Sequence, residues 1–92
     1  MTKVTFKIEK PEHKGERVPF AYFPNEKWNH DGCRVCYAHV GQHGPCDPEY
    51  ARKCRLARYE EYKPLYDELV NLVGYDDLIV TNPDFLAASN AA

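Results

Sequence analysis

The strongest structural signal in this sequence is a single amphipathic helix over residues 59–73. Apolar side chains recur there at three- and four-residue intervals, at Tyr62, Leu65, Tyr66, Leu69, Leu72 and Val73. Gly74 follows directly and predicts the end of the helix. Pro64 lacks a backbone donor, so the helix is expected either to kink there or to begin there, with Lys63 as its cap. The apolar stripe of this helix must be buried, and strand patterns elsewhere indicate a sheet as its partner.

Short strand patterns occupy much of the remaining chain. They cover residues 4–8, 18–23, 33–40 and 78–80. A second, shorter helix is predicted from Pro48 to about Leu56, because Asp47 can cap its free amides and proline suits its first position.

The resulting order, β-β-β-α-α-β, predicts an α+β fold in which a small, mainly antiparallel sheet is covered on one face by the main helix. Residues 1–81 are expected to form a single domain. Residues 82–92 are mostly small and polar and are expected to form a flexible tail.

Length and composition restrict the class of protein. A chain of 92 residues builds one core, and its 43% hydrophobic and 28% charged residues are typical of a globular domain. No apolar run approaches the roughly 20 residues of a membrane span, and residues 1–8 do not resemble a signal peptide. The expectation is a cytoplasmic protein whose four cysteines are reduced thiols or metal ligands.

Cysteine and histidine are concentrated between residues 33 and 54. Two pairs have the two-residue gap of zinc knuckles, Cys33 with Cys36 and His43 with Cys46. These four residues are the candidate ligands of one structural zinc ion. The alternative is that residues 33–36 form an extended strand, which would send its two cysteines to opposite faces and leave the thiols as small core residues.

Enzymatic chemistry has weaker support in the sequence. A nucleophilic Cys36 or Cys46 with His39 or His43 as its base is conceivable, but nothing in the spacing requires it. Glycine-rich phosphate loops and paired-carboxylate motifs are absent from the sequence. The sequence therefore favours a protein without catalytic residues.

A basic stripe follows the predicted start of the first helix, at Arg52, Lys53, Arg55 and Arg58. These side chains could neutralise about three phosphates, which would give only weak binding to nucleic acid. Pairing with the nearby acidic residues Glu60 and Glu61 is the simpler alternative, and the formal net charge of -2 favours it.

Aromatic residues are unusually frequent, with seven tyrosines, four phenylalanines and one tryptophan. Some of them are expected at the surface, where such rings are enriched in protein interfaces. The candidate partner-binding residues are Tyr22, Trp28, His39, Gln42, His43 and Tyr59. Residues 41–48 are expected to be a loop that contributes to the same interface.

Two segments carry a resemblance to a known group of proteins. Residues 36–43, Cys-Tyr-Ala-His-Val-Gly-Gln-His, and residues 60–69, Glu-Glu-Tyr-Lys-Pro-Leu-Tyr-Asp-Glu-Leu, resemble a pattern in small uncharacterised single-domain proteins of phages and bacterial mobile elements. The resemblance covers roughly residues 18–80. It implies an accessory protein that acts on a host factor, and it implies no activity or site residues.

Together these patterns predict a non-enzymatic interaction protein that binds another protein. The alternative is a binding module stabilised by zinc, followed by nucleic-acid binding and by a cysteine-dependent enzyme. The partner and the oligomeric state do not follow from the sequence.

Overall fold

In the computed structural model, helices lie on both faces of a six-stranded sheet. The structure describes residues 1–8, 19–28, 32–38 and 42–85, and for Gln42 it describes only the backbone. The strands and helices are β1 Thr2–Ile8, β2 Phe20–Lys27, β3 Arg34–Ala38, β4 Gln42–Cys46, α1 Pro48–Lys53, β5 Arg55–Leu56, α2 Tyr59–Glu68, which continues as a π-helical turn Leu69–Val73, and β6 Leu78–Val80.

Strand β1 is the centre of this sheet. The order is β4-β3-β2-β1, and the other edge of β1 is divided between two short strands. Strand β5 pairs antiparallel with the end of β1, whereas β6 pairs parallel with its beginning. The other described pairings are antiparallel. The predicted α+β class with a mainly antiparallel sheet is therefore confirmed.

Alternation along β1 explains how the main core forms. Val4, Phe6 and Ile8 are at most 3% exposed and point to what we call the first face, which α2 covers. Tyr62 of α2 stacks on Phe6, with ring centroids 4.6 Å apart and planes within 3° of parallel. Leu65 and other buried residues of the helix extend the same contact, so the apolar stripe read from the sequence is the face that packs on the sheet.

The main helix begins at Tyr59, so Pro64 lies inside it and does not start it. Its last turn is π-helical and ends at Gly74, which has a positive φ of 98°. The N–H groups of Gly74 and Tyr75 both donate to the carbonyl of Leu69, at 3.0 Å. The predicted glycine terminator is confirmed, because a left-handed residue closes the helix most easily when it has no Cβ.

Two predictions near the middle of the chain are wrong in detail. Helix α1 ends at Lys53, not near Leu56, and β5 follows where its last turn was expected. The expected loop over residues 41–48 contains strand β4, which includes Gly44 and Pro45. Proline is tolerated there because β4 lies at the edge of the described sheet.

Residues 82–85, expected to begin a flexible tail, are held by the domain. The Asn82 side chain is 3% exposed and its Oδ1 accepts from the Phe6 N–H at 2.7 Å, while its Nδ2 donates to the carbonyls of Phe6 and Ala57 at 2.9 and 3.1 Å. Asp84 accepts from the Tyr59 N–H and from the Tyr62 hydroxyl, both at 2.7 Å. This segment therefore ties the start of α2 to β1. Residues 86–92 lie outside the described residues.

Replacing Asn82 by alanine is expected to lower the free energy of unfolding by on the order of 3 kcal/mol, because three buried hydrogen bonds to the backbone are lost. Urea unfolding followed by circular dichroism measures the change. Asn71→Ala on the exposed side of the helix end is the matched control, expected to stay within about 0.5 kcal/mol. Equal effects of the two substitutions would contradict a structural role for the Asn82 amide.

An ion pair links β5 to α2. Arg55 donates to both carboxylate oxygens of Glu61, at 3.0 and 2.9 Å, and the Arg58 N–H donates to the same carboxylate at 2.8 Å. The hydrogen bond from Arg55 is the largest cause that lowers the pKa of Glu61, to about 2. The pair therefore stabilises the folded state only while Glu61 is ionised.

The free energy of unfolding of the domain should consequently fall at low pH. Because the folded pKa of Glu61 lies below its unfolded value, its contribution is complete above about pH 4.5 and is lost as the pH falls toward 2. We expect on the order of 2 kcal/mol from this group, measured as the difference in acid dependence between wild type and Glu61→Gln. Glu60→Gln, at an exposed neighbouring position, is the control. An equal acid dependence in wild type and Glu61→Gln would contradict this assignment.

Candidate functional site

Three of the four cysteines meet on the face of the sheet opposite α2, which we call the second face. Cys46 and Cys54 are buried there with Phe20 and Ala51, and Cys36 packs against the same cluster. Helix α1 brings this about, because Asp47 caps it directly after β4 and its Ala51 packs in the same cluster. All four cysteines are free thiols.

The strand register explains which predicted ligands are neighbours. Cys36 lies opposite Gly44, and Cys46 lies opposite Arg34, so the two cysteines are diagonal neighbours on adjacent strands. The two side chains pack in the same cluster, while the Cys36 thiol donates to the Pro45 carbonyl and the Cys46 thiol to the Asp47 carbonyl, each at 3.7 Å. The structure therefore brings together two of the four candidate zinc ligands.

His43 lies on the first face, away from this pair. It is opposite Tyr37 in the register, and the two rings are 5.0 Å apart in a T-shaped arrangement. Its Nε2 lies 3.1 Å from the hydroxyl of Tyr75. His43 and Cys46 are three residues apart in β4. Because side chains alternate along a strand, the two members of this predicted zinc pair lie on opposite faces of the sheet.

Cys33 precedes β3 and is half-buried, and its carbonyl accepts from the Trp28 N–H at 2.9 Å. Within the described ranges, no three or more His, Cys, Asp or Glu side chains are grouped so that they could hold a metal ion. Residues 34–36 belong to β3, as in the strand alternative, and the zinc site remains a prediction.

A groove opens beside the two cysteines, between the sheet and the first turn of α1. We call it the α1 groove. Its volume is about 320 Å³, and it is lined by Phe20, Cys36, Ala38, Pro45, Cys46, Asp47 and Tyr50. Tyr50 is 41% exposed and stacks on Phe20 with ring centroids 5.9 Å apart. Most of the lining is apolar, with two thiols in the wall and one carboxylate at the rim.

The chemistry of the thiols follows from their surroundings. Burial is the largest cause that raises the pKa of Cys46 to about 12, and the neighbouring thiols and the Asp47 carboxylate contribute to the same rise. Burial also raises the pKa of Cys36, although the neighbouring Cys46 thiol lowers that pKa in part. Both side chains are therefore protonated at neutral pH, which makes them poor nucleophiles.

Those predicted partner-binding residues that the structure describes do not form one surface. Tyr22 is partly buried in the second-face cluster, and burial raises its pKa. Trp28 is 43% exposed at the end of the β2 region, and Tyr59 packs against Tyr62 beside α2. His39 lies outside the described residues, as does the side chain of Gln42.

Two members of the basic stripe have acidic partners. Arg55 pairs with Glu61 at 2.9 Å, and Arg52 pairs with Glu49 one turn earlier on α1. These contacts support the pairing alternative and leave less charge available for phosphates.

The α1 groove was not predicted, because its residues are separated in sequence. The sequence predicts a strand around Phe20 and a helix around Tyr50, and it gives neither residue a functional role. Their proximity depends on where α1 packs on the sheet, and no local motif specifies that position. The position of Asp47 as a helix cap was the one local signal that a helix would pack next to β4.

Comparison of the chain with protein-family models, with curated proteins and with solved structures gave no match. The resemblance to small phage proteins remains a prediction. Among the described helices, none is long and apolar enough to cross a lipid bilayer.

Thiol accessibility provides a direct check of this site. Cys33 and Cys36 are partly exposed, whereas Cys46 and Cys54 are each 6% exposed. Alkylation of the native protein followed by peptide mass mapping is therefore expected to modify Cys33 first and Cys36 more slowly, because burial raises the pKa of Cys36, with the other two reacting only after denaturation. Rapid native labelling of Cys46 or Cys54 would contradict the packing of α1 on the sheet.

Proposed function

We propose that this protein is a non-enzymatic interaction module whose α1 groove binds an apolar side chain from an extended segment of another protein. The observation that supports this function best is the exposed Tyr50 ring, which stacks on Phe20 and forms one wall of a mostly apolar groove. Stacked aromatic rings around a small pocket are typical of the anchor positions that dominate binding energy.

The size of the groove favours a single side chain over a cofactor. A volume of about 320 Å³ is at the lower limit for small-molecule sites. It suits one aromatic or branched aliphatic residue whose backbone stays outside. The carboxylate of Asp47 at the rim favours a partner with a basic or neutral residue beside this anchor, because an acidic neighbour would be repelled.

The position of β4 favours an extended partner. β4 contributes Pro45 and Cys46 to the groove and is an edge of the described sheet. A partner strand beside β4 could use backbone hydrogen bonds for affinity while its anchor side chain enters the groove. Pro45 has no N–H, so this pairing would be short.

The test is a selection of extended peptides from a random displayed library, followed by mapping of each binder by ¹H–¹⁵N chemical shifts. We expect the selected peptides to share an apolar anchor and to perturb the amides that line the α1 groove. Tyr50→Ala should weaken them about 30-fold, which corresponds to the loss of roughly 2 kcal/mol at an anchor site.

Ala38→Arg is a second variant, designed to fill the groove without removing an aromatic ring. Leu72→Ala is the matched control, since Leu72 is 80% exposed at the far end of the main helix. Full binding by both groove variants, shifts confined to the first face, or no selected peptide would each contradict the proposed function.

A further inference from the structure

The contact between Cys36 and Cys46 is a second feature of the α1 groove, and it is separate from the aromatic wall. Both thiols line the groove, and both belong to the apolar cluster of the second face. They come from different strands, so the sheet itself fixes their separation. Two free thiols held together at a surface opening form a ready pair of soft ligands.

The strand register favours a bridging ion over a disulfide. Diagonal neighbours on antiparallel strands have Cα atoms about 7–8 Å apart, beyond the roughly 6.8 Å limit of most disulfides. Metal–thiolate bonds of about 2.3 Å, the length found for zinc, can join sulfur atoms up to roughly 4.6 Å apart, about twice the roughly 2.0 Å of an S–S bond. A single ion therefore fits this spacing with less backbone movement than an S–S bond requires.

Space for an ion is present beside Cys36. Gly44 lies opposite Cys36 in the register, and a Cβ built at Gly44 would meet no heavy atom within 4 Å. A larger residue at this position would narrow the opening over the thiol. The groove on the other side of the pair supplies a route from solvent.

The available ligand atoms indicate which ion suits the two thiols. Neither of two nearby candidates for a third ligand is directed at the pair: His43 lies against Tyr37 on the first face, and the Asp47 carboxylate accepts the Glu49 N–H at 2.9 Å as the cap of α1. Structural zinc takes four ligands, and the described residues offer no group of three or more. Monovalent copper is soft and prefers thiolates, so it suits a site with two sulfur donors.

The geometry points to a two-coordinate Cu(I) site formed by Cys36 and Cys46. On binding, each thiol releases its proton to solvent and one S–Cu bond forms at each sulfur. Copper stays monovalent throughout, so no oxidant or reductant takes part. The site does not rest on peptide binding by the groove, and either property can exist without the other.

The first experiment titrates the untagged, reduced protein with Cu(I) under anaerobic conditions, in competition with the chelator bicinchoninate. We expect one ion per chain and, by X-ray absorption, two sulfur neighbours. Cys36→Ser and Cys46→Ser should each weaken binding more than a hundredfold, since the loss of even an indirect partner of a ligand costs 10- to 100-fold.

Two control variants separate this site from the other cysteines. Cys33→Ser and Cys54→Ala should retain the wild-type affinity, because neither residue belongs to the pair. Gly44→Leu leaves both thiols in place but fills the space beside Cys36, and it should weaken Cu(I) at least tenfold. Circular dichroism of each variant establishes that the fold is intact, and Cys36→Ala replaces Cys36→Ser if the serine variant unfolds.

Several outcomes would overturn the site. Equal loss of affinity in the Cys33 and Cys36 variants would indicate the ligand set first considered for zinc, and tight stoichiometric Zn²⁺ binding would do the same. Binding weaker than that of a short unfolded peptide with two cysteines would mean that the fold does not preorganise the pair. A Cu(I) result that fails while peptides still bind would refute this site alone.

Discussion

The fold depends on how firmly β1 is held around Phe6. The Phe6 ring stacks on Tyr62, and its backbone N–H and carbonyl are both bound by the buried side chain of Asn82. β2 pairs along one edge of the strand while β5 and β6 share the other. Helix packing, sheet pairing and the closing segment therefore converge on one residue. A substitution of Phe6 would disturb the helix packing, the sheet pairing and the Asn82 contacts together, because contacts that share one residue are energetically coupled.

The features that could be predicted from sequence are those encoded locally. The alternation of Val4, Phe6 and Ile8 and the stripe of residues 59–73 each have a period that one segment specifies by itself. Gly74 was predictable for the same reason, since the end of a helix depends on the residues beside it. These elements are enough to define an α+β fold, and the structure contains them.

The features that were missed depend on contacts between distant segments. Gly44 and Pro45 have the composition of a turn, and only their position at a sheet edge permits a strand. Asn82 resembles an ordinary residue of a polar tail until β1 is placed beside it. The α1 groove is of the same kind, because Phe20 and Tyr50 meet only after α1 has folded over the sheet. The cysteines show the same limit: spacing pairs Cys33 with Cys36 and His43 with Cys46, whereas the strand register makes Cys36 and Cys46 diagonal neighbours and places His43 on the other face.

The parallel pairing of β1 with β6 affects how the chain reaches this structure during synthesis. Thr2 to Val4 lie beside Leu78 to Val80, and Asn82 completes the backbone contacts of Phe6 across 76 positions. A nascent chain cannot form these contacts until its last described strand has left the ribosome, so the beginning of β1 lacks a partner on one edge for most of translation. Contacts between such distant positions also make folding slower than in a helical domain of equal size. The same arrangement makes the exposed edge of β1 the part of the unfinished chain most open to pairing with another chain.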